Sequence, residues 1–245
     1  MSKKQIHTRA QYGKEAILEM IRQGKIHGNK LPSEEELTKL IGVSLATLRE
    51  ALSELNNEGM ISKRHGSGNY VHSSTLQTKM RIDRYSDFIN LLEDGGYKAT
   101  STYSSMRLEK VPSGAARTLN LESEAIVVAY ERLFWADGQL AICAQNKIPY
   151  RHFVQDLKGV EGTPDLGTLI WTYCRKDLAH GIQEFVPTVA GQEEKVLLGL
   201  EPGTAMISWR ETFYTVDDLP ICLSWVRFHP ELVRMTTLWK WGQKA

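Results

Sequence analysis

Ser44, Thr47 and Arg49 lie close together at the start of a helical pattern, and Lys63, Arg64 and His65 run directly into Gly66-Ser67-Gly68. Hydroxyls and a guanidinium on the first turn of a helix suit base edges and phosphate oxygens, and a basic stretch beside glycines brings charge and backbone close to a polyanion. Taken singly, most of these residues have an ordinary duty, Thr47 being the one with no competing structural role. Arg49 could pair with Glu50 or Ser53 as a solvated helix charge, Ser44 could simply cap, and His65 alone suits a loop. Residue sets that break bonds are missing from the sequence: there is no Gly-x-Ser-x-Gly elbow, Walker loop, His-Glu-x-x-His helix or dinucleotide fingerprint. His152, His180 and His229 are scattered away from carboxylates and cysteines, so no catalytic residue, metal site or cofactor is expected.

These residues sit in an uneven charge distribution. The chain of 245 residues is nearly neutral, with 30 Lys plus Arg against 29 Asp plus Glu, yet its first 75 residues hold 11 basic and 8 acidic side chains. All six tryptophans and all three cysteines (Cys143, Cys174, Cys222) come later. A small basic module followed by a larger aromatic one is the reading that follows. No apolar run is long enough to span a bilayer and no signal core follows Met1, so a cytoplasmic protein with reduced, buried thiols is expected.

The first module must position Ser44 to Arg49. Apolar residues from Tyr12 to Ile21 predict a helix over about 10–23. Pro32-Ser33-Glu34-Glu35-Glu36 is a capping-box signature, with three acids where the helix dipole favours them. It opens a helix that buries Leu37, Leu40 and Ile41 and stops at Gly42. Ser44 caps a third helix with Leu48, Ala51, Leu52 and Leu55 on its inward stripe. Strands at 60–63 and 69–72 then flank the basic, glycine-containing hairpin. A helix-turn-helix with such a hairpin is a winged helix, whose second helix can enter a major groove.

Leu31-Pro32-Ser33-Glu34, Gly42-Val43-Ser44, Thr47 to Leu52, Glu58-Gly59 and His65-Gly66-Ser67-Gly68 together resemble the DNA-binding domain of GntR-type bacterial transcription regulators. The resemblance implies DNA contact by Ser44, Thr47, Arg49, His65 and Gly66, to which the basic wing adds Lys63 and Arg64. Glu35 and Leu45 stand where that family often has arginine, which leaves the operator bases open.

After a polar stretch at 73–82, which reads as a linker, Asp87 to Asp94 predicts a helix stopped by Gly95-Gly96. Residues 125–135 and 139–148 form a hairpin about Asp137-Gly138, and a second hairpin joins 205–214 to 221–228 about Val216-Asp217-Asp218. Helices are expected at 166–174 and 191–198, giving an α+β domain whose antiparallel sheet is covered on one face. Tyr130-Glu131-Arg132-Leu133, Asp137-Gly138, Ile148-Pro149, Leu198 to Gly203 and the final strand resemble the UTRA ligand-sensing domain of the HutC subfamily, with its chorismate-lyase-like fold. In relatives that sense phosphorylated sugars, an arginine on the first hairpin strand binds the ligand, and Arg132 occupies that position. Asp87 stands where those relatives have a phosphate-binding serine, and Ala144 and Cys222 where they have acidic contacts. The resemblance therefore implies an effector site including Arg132, Asp87, Ala144 and Cys222, and an anion less hydroxylated than a phosphosugar. Arg210 and Arg227 are further candidates, although Glu211 could neutralise Arg210. The tryptophans are expected in the core or a dimer interface.

The composite expectation is a winged helix-turn-helix domain over 1–73, a linker over 74–84, and a chorismate-lyase-like, UTRA-like effector-binding and dimerisation domain over 85–245. Its function is expected to be a homodimeric repressor of a palindromic operator in double-stranded DNA, released by a small-molecule effector, with no membrane role. A lyase-like enzyme with an accessory DNA-binding domain is the alternative.

Overall fold

The computed structural model describes residues 8–26, 28–84, 87–156 and 164–240. Two compact units emerge, one formed by residues 1–84 together with 236–245 and the other by 85–235.

In the first unit, helix α1 (Arg9–Arg22) starts at Thr8, whose hydroxyl accepts from the Gln11 N–H. Helix α2 (Glu34–Ile41) has the complete capping box: Ser33 Oγ accepts from Glu36 N–H and the Glu36 carboxylate accepts from Ser33 N–H at 2.8 Å. The bonds that the Ser33 N–H and hydroxyl donate to the Glu36 carboxylate also hold that carboxyl below its ordinary range. Gly42, at φ +76°, ends α2 in the left-handed conformation that costs a glycine little. Helix α3 (Leu45–Asn57) follows from its Ser44 cap. Ile17, Leu37, Leu48, Ala51 and Leu55 are completely buried between the three helices, so the inward stripe read from the sequence is the core. Leu40 is the exception, being 65% exposed. Strands β1 (Ile61–Arg64) and β2 (Gly68–Val71) pair antiparallel from Ile61 opposite Val71 to Arg64 opposite Gly68, one residue off the predicted bounds on each strand.

The stretch expected to be a polar linker is instead packed. Helical turn α4 (Ser73–Leu76) buries Thr75, whose hydroxyl donates to the Gly59 carbonyl at 3.1 Å. Met80 and Arg81 are also buried, and Arg81 pairs with Asp83 at 2.5 Å. Their partner is the segment around Thr236. Ile82 N–H donates to the Thr236 carbonyl at 2.8 Å, Thr236 N–H to the Met80 carbonyl at 2.9 Å, and Thr236 Oγ1 to the Lys79 carbonyl at 2.6 Å. Leu238 packs over Gly59, and the Lys240 ammonium donates to the Asn56 carbonyl at the end of α3. Residues 236–240, grouped by the sequence with the second domain, thus belong to the first unit; 241–245 lie outside the described residues. Ordinary polar composition hid this because the pairing uses mainly backbone groups.

The second unit contains helix α5 (Phe88–Gly95), strands β3 (Ala99–Tyr103) and β4 (Arg107–Lys110), helix α6 (Ser113–Thr118), strands β5 (Ile126–Ala136) and β6 (Gln139–Pro149), helix α7 (Leu166–Cys174), strand β7 (Leu178–Val189), helix α8 (Gln192–Leu198) and strands β8 (Ala205–Thr215) and β9 (Pro220–Phe228). All strands belong to one antiparallel sheet in the order β3-β5-β6-β9-β8-β7, with β4 extending the β3 side of β5. Asp137 and Gly138, at φ +50° and +84°, make the two-residue turn expected between β5 and β6.

Helices cover both faces rather than the single face expected. Directly opposed residues of antiparallel strands share a face. On one face α5 inserts Phe88 among Phe134, Trp209 and Phe228 at centroid distances of 5.1–5.8 Å. On that face α7 also packs Leu169, Ile170 and Cys174 against Tyr130, Ile148 and Cys222. On the other face α8 joins Leu198 to Leu133, Leu140 and Met206, and α6 packs Ala115 and Ala116 on Val127. Strand β7 lacks the apolar alternation that marks a half-buried strand. It is an edge strand, exposing Ile182, Phe185 and Val189.

Candidate nucleic-acid interface and effector site

The tip of α3 is built by its own cap. Ser44 Oγ accepts from Thr47 N–H at 3.2 Å and lies 2.9 Å from Thr47 Oγ1, so Thr47 shares the capping arrangement instead of standing apart from structural duty. Ser44 is exposed and Thr47 half-buried. Arg49 is 62% exposed, and its partner is neither Glu50 nor Ser53. Its Nε donates to Glu34 Oε2 at 2.7 Å, across from the start of α2. That contact needs the tertiary docking of two helices, which local spacing cannot show. Among the described residues the two terminal nitrogens of the guanidinium make no hydrogen bond, so they can supply the donor fork that a guanine edge or phosphate accepts.

The wing presents Lys63, Arg64, His65 and Gly66, all exposed. Gly66 at φ +67° makes the tip turn. The Arg64 guanidinium lies 4.3 Å above the Tyr70 ring, and Tyr70 OH is 2.6 Å from Ser67 Oγ, so the wing is braced from within. Between α3 and the wing lies a cleft of about 220 Å³ lined by Glu34, Arg49, Ser53, Asn56, Lys63 and Asn69. Glu35 and Leu45 are exposed at the starts of α2 and α3, the positions where arginine would add positive charge.

In the second unit, Arg132 on β5, Ala144 on β6 and Val226 on β9 are successive cross-strand partners beneath α5 and α7. Cys222 lies on the same face four residues before Val226, and is completely buried. Arg132 donates to Asp87 at 3.3 Å and lies 4.7 Å above the Phe134 ring. Asp87 is also the cap of α5, accepting from Ile89 N–H. The structure thus joins Arg132 to Asp87 and sets Ala144 beside Arg132, with Cys222 farther along the same face near Tyr130. It does not bring Arg210 to them: Arg210 is on the opposite face, paired with Glu184 instead of Glu211. Arg227 is there too, held by Glu193 and Glu194 of α8.

Two acids missed by sequence reasoning adjoin the site. Asp165 caps α7, accepting from Thr168 N–H at 2.9 Å. Burial works against its ionisation, but the Thr168 hydrogen bonds and the Arg132 charge prevail and hold its carboxyl below the ordinary range. Glu211, on β8, is buried beside Gln183, and desolvation pushes its carboxyl up to about 7 against that amide's opposing hydrogen bond. An acid flanked by Arg210 and Thr212 looks like a solvated strand charge; its burial depends on the sheet register. Desolvation also pushes the Cys222 thiol to about 12, which leaves it a neutral, apolar group.

A winged helix-turn-helix joined to an antiparallel α+β domain with an internal polar site defines a ligand-responsive DNA-binding regulator. Comparison with known proteins gives the family. Residues 13–71 match the gntR family of bacterial regulatory proteins, and residues 94–234 match the UTRA domain. The chain belongs to the GntR family, in its UTRA-containing branch, and is a DNA-binding transcription regulator with a ligand-sensing domain. It is similar to the uncharacterized HTH-type transcriptional regulator YurK of Bacillus subtilis, with 28% identity covering 84% of this chain and 85% of that protein. It is also similar to the HTH-type transcriptional repressor NagR of the same species, with 23% identity and 82% of each chain covered. The crystal structure of a possible transcriptional regulator, YydK from Bacillus subtilis, shares the fold with a TM-score of 0.74 at 20% identity, covering 95% of this chain and all of that one. These relatives are regulators, not enzymes, and among the described residues no helix is long and apolar enough to cross a membrane.

Proposed function

We propose that the protein is a homodimeric repressor in which each subunit sets the tip of α3 into one half-site of a palindromic operator and lays its wing on the adjoining backbone. The observation that carries this reading is the joint exposure, on one small domain, of Ser44, Arg49 and the basic wing Lys63, Arg64, His65. In this arrangement Arg49 reads a base edge, Ser44 and Thr47 meet the backbone near it, and Lys63, Arg64, His65 and Gly66 hold phosphates. One such module buries too little surface for operator specificity, and two-fold pairing doubles the contacts. Apolar side chains exposed on β7 and β8, among them Ile182, Phe185 and Ile207, favour pairing through the second unit. The repressor named NagR among its relatives supports the sign of regulation.

The effector, in this reading, binds in the second unit on the sheet face that carries Arg132, Asp87, Ala144 and Cys222, and lowers operator affinity by favouring a domain arrangement unsuited to the two half-sites. Fluorescence anisotropy with duplex fragments from upstream of its own gene tests the proposal. Nanomolar, salt-sensitive binding of one dimer per fragment is expected, with two-fold symmetric protection in footprints. A monomer in light scattering, or no preference for any fragment over random duplex, would overturn it.

A further inference from the structure

Five strands of the second unit each place one polar side chain in a single lateral row. From β7 through β8, β9 and β6 to β5, Gln183, Glu211, Ser224, Asn146 and Tyr130 are successive cross-strand partners on the face beneath α5 and α7. All but Gln183 are at least nine-tenths buried. The next row on that face is apolar apart from Arg132, running from Phe185 through Trp209 and Val226 to Ala144. A polar row in such a place is costly unless its donors and acceptors are used.

Within the protein they are only partly used. Ser224 Oγ donates to Asn146 Oδ1 at 2.5 Å, Asn146 Nδ2 to the Ala144 carbonyl at 3.0 Å, and Gln183 Nε2 to Glu211 Oε1 at 2.9 Å. The Tyr130 hydroxyl is buried with no partner. Among the described residues no cation pairs with Glu211. Gly181 contributes to this opening: a Cβ there would lie 3.1 Å from Glu211 Oε1, so glycine leaves the carboxylate uncovered from that side.

Charge completes the pattern. Arg132 is the basic residue of the adjacent row on this face, and it is already answered by Asp87 at 3.3 Å and influenced by Asp165. An anionic effector would have to displace Asp87 from Arg132 and then face Glu211 and Asp165 as well. We infer that the effector carries a protonated nitrogen, as an amine, amidine or imidazolium, received by the Glu211 carboxylate, with the Ser224–Asn146 pair bonding its middle and the Tyr130 hydroxyl its far end. The inference rests on the reading of the second domain as effector-binding and replaces the anion expected from sequence. Three interstrand gaps separate Tyr130 from Glu211, roughly 14 Å, so the compound is of the size of one ring with a short chain. Such a cation also offsets the desolvation that makes Glu211 a weak acid.

The test is titration calorimetry on the full-length protein with phenethylamine, histamine and agmatine, each beside its neutral hydroxyl analogue and its carboxylate analogue. Binding by at least one cation, about tenfold tighter than its two analogues, is expected, with about tenfold or greater weakening in E211Q and a smaller loss in Y130F. Unchanged thermal melting of Y130F keeps that variant interpretable if E211Q is unstable. Tightest binding by a carboxylate, equal binding to wild type and to both variants, or no binding by any cation at millimolar concentration would overturn the inference. Cations that bind in this manner yet fail to alter operator affinity would leave the ligand class standing and reject the regulatory reading instead.

Discussion

Replacing Arg49 by alanine separates the reading role of α3 from its structural role. In the free protein Arg49 is tied to Glu34 by one bond from Nε, and with 62% of the side chain exposed that pair is a surface ion pair. Such pairs contribute ~0–1 kcal/mol, so R49A should lower the melting temperature by no more than a few degrees, about the shift that 1 kcal/mol gives in a small domain. On DNA the scale differs. A bidentate contact from the two free terminal nitrogens to a guanine is worth ~1–3 kcal/mol, or roughly 5–150-fold in Kd for each half-site. A dimer loses that twice. If Arg49 instead holds a phosphate, the dimer loses ~2 units of salt slope and weakens equally on operator and random duplex. Anisotropy titrations at three salt concentrations, on operator and on random DNA, distinguish these outcomes. E34Q is the companion: freeing the guanidinium from its anchor should raise non-specific affinity and reduce the operator-to-random ratio. Binding of R49A within twofold of wild type at every salt concentration would remove Arg49 from the interface.

Gly59→Ala should destabilise the first unit by ~1–3 kcal/mol, because φ +71° disfavours a side chain and its Cβ would lie 2.1 Å from Leu238 Cδ2. L238A should recover the steric part in a double-mutant cycle, and fully additive losses in chemical denaturation would contradict the contact. For Glu211, the folded-state carboxyl at about 7 lies above its ordinary 4.5, so the native state binds the extra proton. Its contribution to stability is complete below about pH 4.5 and lost as pH rises through 7. Stability of E211Q measured across pH 4–8 should therefore lack this decline, and parallel curves for variant and wild type would refute the burial. The Cys143, Cys174 and Cys222 thiols are all buried, and desolvation raises them to about 12, 11 and 12. A colourless-to-yellow disulfide exchange reagent at pH 8 should therefore find no fast-reacting thiol until denaturant is added.

Local rules explain what was legible in the sequence. Ser33 with Glu36, Gly42, Ser44 and the stripe from Leu48 to Leu55 act within a few residues of themselves, so the first domain could be read almost to its caps. Asp137-Gly138 did the same for the β5–β6 hairpin. What escaped was decided across the chain. The Arg49–Glu34 pair spans two helices, β7 shows no alternation because it lies at the sheet edge, and the polar row exists only once five strands are in register. Arg210 and Glu211 are neighbours in sequence, yet the pleat sends one to solvent beside Glu184 and the other inward to Gln183. A resemblance could place Arg132, but it could not show that Asp87 already satisfies it.

The return of residues 236–240 to the first unit has a practical outcome for anyone labelling this molecule. The first and last described residues, Thr8 and Lys240, both belong to the DNA-binding unit, and the Lys240 ammonium bonds the last turn of α3, so a fluorophore placed on this segment sits beside the recognition helix. A label there will report on, and disturb, operator recognition more than metabolite sensing. A protease nick between residues 84 and 87 severs the bulk of the first unit from the second but leaves residues 236–240 attached to the second unit, so the two fragments stay associated only through the non-covalent bonds of that segment.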